Sequence, residues 1–303
     1  MQNLTFQLIT DFNEAKEWWN KFAYGETIYS NWDFRNCFYT SWDRRKPSAE
    51  IRFYVGYFKD EPVGLMPLQY NQEEKYLEFF GGSYMEDNQI YIKPGYEKYL
   101  PEFYDQIKEK AKLEYIIGHD EFTKKLKFKD WKYVLPLTGM KSHLDYVEKY
   151  FHGETKKKLK KRLKKVPEEN KIEVVFNNFA DIELLFQYNI EKFKNDSSFV
   201  WPGRKEAFRE LLKPPFHPYL MTFLVNGQKQ AVSLGILHNG VYESFNTGVS
   251  ADAVYNLSSY IHVKKIDHAI ELGAKLFDAF TGDYGWKENW NFDKIPQYSF
   301  YHD

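Results

Sequence analysis

The side chains best suited to chemistry lie close together near the C-terminus, in a predicted strand and the loop after it. Asp278 stands inside the apolar segment LFDAF, where a carboxylate is costly unless it is hydrogen-bonded or functional. The next loop, TGDYGWKENW, contributes Tyr284, Trp286 and Lys287. Carboxylate, phenol and ammonium groups can transfer protons and stabilise negative charge, and strand-end loops often carry sites. Taken singly, Lys287 also fits a surface lysine and Tyr284 a packing ring.

The helix predicted before this strand offers an anion site at its N-terminus. Asn256, Ser258 and Ser259 occupy that position, where unpaired backbone N–H groups and the helix dipole favour negative charge. The same residue types also serve as ordinary helix caps, so both interpretations stay open. The strand upstream carries polar side chains that alternate onto one face, namely Tyr242, Ser244 and Asn246.

A strongly cationic segment, TKKKLKKRLKKVPEEN, lies between the two halves of the chain. Residues 156 to 165 are all Lys or Arg except Leu159 and Leu163. Together with Val166 these leucines fall at i, i+4 and i+7, which predicts a helix over 154–166 with one apolar stripe and an end at Pro167. The charged face can hold phosphates, or it can simply face water.

Two similar blocks of strands indicate an internal duplication. The first is FYVGYFKDEPVGLMPLQY followed by YLEFFGG, and the second is YLMTFLVNGQKQAVSLGILHNGVYESFNTG. Asn226-Gly227 and Asn239-Gly240 predict tight hairpin turns in the second block. Each block precedes a predicted helix, YEKYLPEFYDQIKEKA or SSYIHVKKIDHAIELGA, and then a strand, YIIG or LFDAF. Because hairpins are common units, chance similarity between the blocks is the alternative.

This order of elements predicts an α/β (α+β) plan rather than a doubly wound sheet. We expect two tandem domains, each with a mixed, mainly antiparallel sheet flanked by helices. The 303 residues suffice for two such cores. The boundary is predicted near Pro136, which gives domains at 1–136 and 137–303, with the cationic helix in the second.

Composition and missing motifs exclude several classes of protein. The mean hydropathy of −0.65 and the lack of an apolar run of roughly 20 residues argue against membrane insertion. With no export signal and a single cysteine, Cys37, a cytoplasmic location is expected. The net charge of −1 gives no global attraction to polyanions.

The common nucleotide, zinc and serine-nucleophile motifs have no match in the sequence. His262 and His268 share a predicted helix but are six residues apart, so they lie on different faces. No metal site is predicted.

The segment NTGVSADAVYNLSSYIHVKKIDHAIELGAKLFDAFTGDYGWKENW resembles the C-terminal domain of the FemAB-like and CelD-like acyltransferases of the GNAT superfamily. The tandem blocks, the basic helix and the N-terminal WDFRNCFYTSW are similar to that group in layout. The resemblance implies two GNAT-like domains, with acyl transfer to an amine in the second. VSADAVYNLSS departs from the family's pyrophosphate loop, Q/RxxGxG/A.

By this resemblance the late Asp, aromatic residue and Lys of the family fall on Asp278, Tyr284 and Lys287. Asp278 would position the acceptor or remove its proton, Lys287 would stabilise the oxyanion, and Tyr284 would contact the donor or protonate the leaving group. The remaining candidates divide between the acceptor (Tyr242, Ser244, Asn246, Trp286) and the donor (Asn256, Ser258, Ser259).

Three functions fit these expectations. The first is N-acyl transfer from acyl-CoA or acyl carrier protein to a small amine such as an amino sugar or amino acid, in cell-envelope or polysaccharide biosynthesis. The second is aminoacyl-tRNA-dependent transfer to a peptidoglycan precursor, to which the cationic helix would contribute. The third is a non-catalytic protein that binds a glycan or a partner on the same fold.

Overall fold

The computed structural model describes residues 3–43, 49–118, 120–282 and 285–303. It divides into two compact units, one formed by Met1–Lys132 with Ile295–Asp303 and the other by Tyr133–Lys294. The first division falls four residues before the predicted boundary at Pro136, and the last nine residues return to the first unit instead of completing the second.

The first unit is a mainly antiparallel sheet with helices. Its helices are α1 (Phe12–Phe22), α2 (Trp32–Asp43) and α3 (Leu100–Tyr104). Its strands are β1 (Thr5–Ile9), β2 (Ala49–Phe58), β3 (Glu61–Asn71), β4 (Tyr76–Phe79), β5 (Tyr91–Ile92) and β6 (Ala111–Ile116), while β7 (Lys127–Pro136) begins in this unit. The strand order is β1-β2-β3-β4-β6 with β5 on β3, and only β4 and β6 run parallel among these pairs.

The second unit repeats this plan with more helix. Its helices are α4 (His143–Tyr150), α5 (Gly153–Glu169), α6 (Ile182–Phe193), α7 (Arg204–Glu210) and α8 (Leu257–Glu271). Its strands are β8 (Ile172–Phe176), β9 (Pro218–Val225), β10 (Gln228–His238), β11 (Val241–Glu243), β12 (Thr247–Val249) and β13 (Leu276–Thr281), in the order β7-β13-β11-β10-β9-β8 with β12 on β10. The final strand, β14 (Asp293–His302), begins in this unit and then pairs with β6 of the first.

The predicted hairpins are confirmed. β2 and β3 pair from Phe58↔Glu61, with Lys59 of the turn at φ 56°. Asn226-Gly227 joins β9 to β10, and Asn239-Gly240 joins β10 to β11. Both Asn-Gly turns have positive φ at each residue, which is the conformation that this dipeptide favours. The predicted mixed, mainly antiparallel α/β class is therefore confirmed.

Two predicted helix bounds are wrong. The segment YEKYLPEFYDQIKEKA forms only the short α3, which begins with Pro101 in its first turn, where a proline is tolerated, and places the Phe103 ring against Gly56 and Gly64 of the sheet. A Cβ atom at either glycine would lie 2.6 Å from the Phe103 ring. The cationic helix α5 continues past Pro167 to Glu169. Pro167 has no N–H to donate to the carbonyl four residues earlier, so the chain keeps helical geometry for its last turn at the loss of that hydrogen bond.

Aromatic side chains fill much of both cores. In the first unit Trp19, Trp32, Phe53 and Phe80 form edge-on, tilted and stacked contacts in one buried cluster. In the second unit the face of the sheet under α8 holds a cluster with Tyr146, Tyr242, Phe277, Trp290 and Phe292. Leu159, Leu163 and Val166 of α5 are buried as the predicted stripe requires. Core packing thus accounts for many of the aromatic residues, which make up 19% of the sequence.

No helix in the described ranges combines the length and apolar character needed to cross a bilayer. In the same ranges no three His, Cys, Asp or Glu side chains cluster closely enough to hold a metal ion.

Candidate active site

Two parallel strands of the second unit, β11 and β13, carry buried carboxyl groups at the last residue pair that joins them. Glu243 of β11 stands opposite Asp278 of β13, and both side chains are completely buried. The Asp278 Oδ1 atom accepts a 2.8 Å hydrogen bond from the Phe280 N–H. Phe280 has φ 64°, in the left-handed region, so the backbone departs from regular strand geometry directly after Asp278.

The carboxyl groups and the Ser244 hydroxyl lie on opposite faces of this strand pair. Tyr242 stacks on Phe277 with ring centroids 5.6 Å apart, and both belong to the core under α8. Since side chains alternate along a strand, Glu243 and Asp278 point to the other face. The Ser244 side chain points to the α8 face, and its backbone N–H donates to the Asp278 carbonyl at 2.9 Å.

A buried lysine of α8 reaches the end of the strand pair. Lys265 is only 6% exposed, and its Nζ atom donates to Ser244 Oγ at 2.8 Å and to Thr247 Oγ1 at 3.3 Å. Burial, and to a smaller degree the positive charge of Lys287, lower the pKa of Lys265 from 10.5 to about 7. An amine with this pKa gains or loses its proton near neutral pH.

Lys287, predicted from the sequence, is a buried residue rather than a surface lysine. It is 3% exposed, and its Nζ atom donates to the Phe280 carbonyl at 2.9 Å and to the Thr281 carbonyl at 2.8 Å. The ammonium group also lies 5.4 Å from the centroid of the Tyr133 ring. Lys287 therefore holds the end of β13 and brings a second positive charge near Lys265.

Trp286 and His262 flank these lysines. Trp286 is 38% exposed, and its ring centroid is 5.4 Å from that of His262. Burial, followed by the charge of Lys265, holds the pKa of His262 well below 6.5, so this imidazole is neutral at pH 7. Tyr284, the remaining predicted catalytic residue, lies outside the described residues.

A cavity of about 390 Å³ adjoins the N-terminus of α8. It is lined by Lys165, Val166, Glu169, Asn170, Val254, Tyr255 and Asn256. Asn256 is in the left-handed region at φ 66°, and its side chain forms no hydrogen bond that caps the described helix. Ser258 is exposed and Ser259 half-buried in the first turn. The predicted donor residues thus lie beside this cavity, close to the end of the cationic helix.

The cations of α5 fall into two groups. Several pair with nearby carboxylates: Lys156 and Lys160 with Glu148, Lys157 with Glu154, Lys164 with Glu168, and Lys165 with Glu169. Lys158, Lys161 and Arg162 are exposed, and none has an ion-pair partner in the described part of the chain. These three residues leave α5 a net positive face.

The structure brings together only part of the predicted site. Ser244 and Lys287 adjoin the α8 face, Asp278 faces the other side, and the donor residues stand at the far end of α8. Tyr242 is fully buried in the core, and Asn246 is partly buried in the segment between β11 and β12.

Sequence reasoning missed Glu243 and Lys265. Lys265 continues the buried spacing of Leu257 and Ile261 at i+4, and a lysine on such a stripe is the signal that could have found it. Glu243 has a weaker signal, an acidic residue within a strand that is otherwise apolar and aromatic.

A protein-family model matches most of the second unit. Residues 153–288 match the model described as Acetyltransferase (GNAT) domain. This span contains α5, α8, the β11–β13 pair and Lys287. Among curated proteins, no sequence matches the chain.

Solved structures extend the likeness to nearly the whole chain. The structure titled FemX gives a TM-score of 0.59 at 10% identity, covering 98% of this chain and 97% of that one. L-PGS from Bacillus licheniformis gives 0.58 at 11% identity, covering 97% and 92%. A tandem GNAT protein from the clavulanic acid biosynthesis pathway gives 0.51 at 10% identity, covering 99% and 98%.

The fold is that of the GNAT transferases. The chain has a GNAT/FemAB-like fold, and residues 153–288 of its second unit match the GNAT acetyltransferase domain model.

Proposed function

We propose that the second unit transfers an acyl group from acyl-CoA or an acyl carrier protein to the amine of a small acceptor, such as an amino sugar or an amino acid. Amines of this kind occur in cell-envelope and polysaccharide biosynthesis. Both donors carry phosphate groups on a flexible thiol arm, and GNAT domains typically bind acyl-CoA. The proposal assigns no step of the reaction to the first unit, which is the other GNAT-like domain of the tandem.

The cavity beside α8 carries the proposal. Backbone N–H groups at a helix N-terminus attract phosphate, and here the Asn256 side chain does not cap them. Lys165 lines the same cavity and adds positive charge, partly offset by Glu169 at 3.3 Å. A phosphate-bearing donor bound there would lie along α8, the helix that carries Lys265.

The groups near β11 and β13 suit the reaction. Amide formation from a thioester needs a neutral amine, stabilisation of the oxyanion and protonation of the leaving group. In this proposal Lys287 supplies positive charge for the oxyanion, while Asp278 helps to position the acceptor through Ser244, whose N–H donates to the Asp278 carbonyl at 2.9 Å. Ser244 and Trp286 contact the acceptor, and Tyr284 contacts the donor, a role that rests on the family resemblance.

Thermal unfolding with candidate donors tests this function, because ligands of the folded state raise the melting temperature. Coenzyme A, acetyl-CoA, a longer acyl-CoA and bulk tRNA would be compared. At about 100 times Kd a ligand adds about 2.7 kcal/mol, and an acyl-CoA is expected to produce the largest shift. An unchanged melting temperature with every coenzyme A species, together with no transfer from an acyl carrier protein, would reject the proposal.

A matched pair of variants locates the donor. Lys164 and Lys165 each form an i,i+4 ion pair of 3.3 Å, but only Lys165 lines the cavity. Lys165→Gln should reduce the shift caused by acyl-CoA, and Lys164→Gln should leave it unchanged. Equal effects of the two variants would place the donor elsewhere.

A second candidate function is aminoacyl-tRNA-dependent transfer to a peptidoglycan precursor. The observation that favours it is the exposed trio Lys158, Lys161 and Arg162 on α5, because neutralising phosphates with free cations drives binding to nucleic acids. A thermal shift with tRNA alone would select this function. If ligands bind but neither donor class supports turnover, the chain acts instead as a glycan- or partner-binding protein on this fold.

A further inference from the structure

We propose that the Lys265 amine takes the proton from the acceptor ammonium group, through the Ser244 hydroxyl. This inference rests on the proposed function, and it assigns the proton acceptor that the reaction requires. It depends on how Lys265 is placed between α8 and the ends of β11 and β12.

The packing of α8 on the sheet determines the position of Lys265. α8 packs on the strand pair through buried Ile266 and Ala269 and joins the core at β9 and β10 through Ile261, which together fix the position of Lys265. Its Nζ atom then meets Ser244 Oγ at 2.8 Å, one residue after Glu243 ends the pairing with β13. The lysine therefore reaches the place where polar backbone and side-chain groups of two strands meet.

A chain of hydroxyl groups continues from this contact. Lys265 Nζ also lies 3.3 Å from Thr247 Oγ1, which is 2.8 Å from Ser233 Oγ on β10. A hydroxyl both donates and accepts hydrogen bonds, so Ser244 can pass a proton from a bound amine to Lys265. Buried chains of this kind are costly unless every member is satisfied, which argues that the arrangement serves a purpose.

The charges around Lys265 favour its neutral, proton-accepting form. The ammonium group of Lys287 repels a second positive charge, and His262 on the same helix is neutral. The carboxyl groups of Glu243 and Asp278, which would stabilise a charged lysine, belong to the opposite face of the strands. With its pKa near 7, the amine suits a base that works at neutral pH.

The proton transfers balance as follows. An N–H bond of the acceptor ammonium breaks as an N–H bond forms at Lys265 Nζ, with Ser244 exchanging one hydrogen for another. The neutral amine attacks the thioester carbonyl carbon, so a C–N bond forms and the C–S bond breaks. The leaving thiolate takes the proton held by Lys265, and the second proton of the amine passes to water.

Because Lys265 acts through Ser244, it is a positioning residue whose signature is the pH profile. The logarithm of kcat for the wild type should rise with pH up to about pH 7 and stay constant above it. Lys265→Met should lower kcat by about 100-fold or more and abolish the rise of kcat with pH, while it changes the acceptor KM little. Lys265→Arg keeps the charge but cannot lose its proton, so it should fail equally.

Two further variants sharpen the test. Ser244→Ala removes the relay hydroxyl and should lower kcat by a larger factor than it raises the acceptor KM, because Ser244 also contacts the acceptor. Lys264→Met is the matched control, since Lys264 neighbours Lys265 in sequence but lies at the surface, 3.6 Å from Asp267. It should leave the profile of the wild type intact.

A titration tests the role of Lys265 separately from the proposed acyl transfer. In the full chain with ¹³C-labelled lysine, one Cε signal should titrate with a midpoint near 7 and vanish in Lys265→Arg. Titration of Lys265 near 10.5, or a Lys265→Met enzyme that retains the wild-type profile, overturns the inference while acyl transfer stands. Absence of transfer with every donor rejects the function, and the role of Lys265 with it.

Discussion

Lys265 donates a 2.8 Å hydrogen bond to Ser244, although both side chains are more than nine-tenths buried. Two hydroxyl groups are the lysine's observed polar contacts, and the nearby charge is the positive Lys287. A lysine in these surroundings is poorly stabilised in its charged form. Such a contact costs stability, and sites of function are where proteins tolerate that cost.

Lys265→Met should therefore stabilise the protein while it impairs catalysis. Replacing even a buried ion pair by apolar groups of similar volume is often neutral or stabilising by about 1–4 kcal/mol, and the ammonium group of Lys265 has no carboxylate partner in the described residues to offset its loss of hydration. The pKa of Lys265 is about 7 in the folded chain and near 10.5 when unfolded, so the unfolded state binds more protons between these values. Stability of the wild type should rise with pH across that window, and the variant should lose this rise.

Urea unfolding at pH 6, 8 and 10 measures both effects. Lys264→Met, on the exposed side of α8, serves as the reference. A Lys265→Met chain that is less stable than the wild type at pH 6 would mean that the ammonium group contributes net stabilisation, contrary to this account.

Asp267 links α8 to α4 and gives a pH dependence of opposite sign. Its carboxylate accepts bonds from the His143 N–H at 2.7 Å and from the His143 Nδ1 atom at 2.8 Å. Burial alone would raise the pKa of Asp267, but these hydrogen bonds outweigh it and hold the pKa below 3.8. A carboxyl with a depressed pKa stabilises the fold above its unfolded pKa and loses that effect as the pH falls through the folded value.

Asp267→Asn should thus cost about 1–3 kcal/mol at pH 7 and less at pH 2, where more of the wild-type carboxyl is protonated. Denaturant unfolding at the two pH values checks this, with the exposed Asp252→Asn as control. Equal losses at both pH values would indicate that packing at α4, and not the charge, is what Asp267 provides.

The fold was more predictable than the site. Asn226-Gly227 and Asn239-Gly240 determine turns by local backbone preference, which one dipeptide is enough to reveal. The leucine stripe of α5 is also local. The contact of Phe103 in α3 with Gly56 and Gly64, by contrast, joins residues distant in sequence, which no periodicity displays.

The site needed tertiary information. Whether Asp278 and Ser244 share a face depends on where regular alternation along the strands ends, and Phe280 at φ 64° ends it in β13. Lys265 could be found from its place on a buried helical stripe, but its partners come from residues 244 and 247 of another element. Such pairings arise only once the sheet register is known.

Tyr242, predicted to contact the acceptor, is tightly packed in the core. Removal of its hydroxyl group shows whether the side chain serves packing or acceptor binding. Its ring stacks on Phe277, and its hydroxyl lies where a Cβ at Gly235 would be 2.1 Å away. Among the described residues this hydroxyl has no hydrogen-bond partner. Tyr242→Phe should therefore raise the free energy of unfolding by about 1 kcal/mol and leave the acceptor KM unchanged. A raised KM would restore the predicted contact with the acceptor.

The cations of α5 provide the test that distinguishes the two donor classes. Replacing Lys158, Lys161 and Arg162 by Gln removes three charges that have no carboxylate partner in the described ranges, whereas replacing Lys156, Lys157 and Lys160 removes three that are already paired. If tRNA is the donor, the first triple variant should weaken binding strongly and lower the salt dependence of log Kd by roughly 2 to 3, since each phosphate contact contributes about 0.9.

The second triple variant should lower that slope less, because its cations are already neutralised by Glu148 and Glu154. For an acyl-CoA donor bound at the α8 cavity, neither triple variant should change affinity more than a few-fold, since Lys165 is retained in both. Equal and large losses of tRNA binding in the two variants would mean that net charge alone, and not the unpaired face of α5, attracts the polyanion.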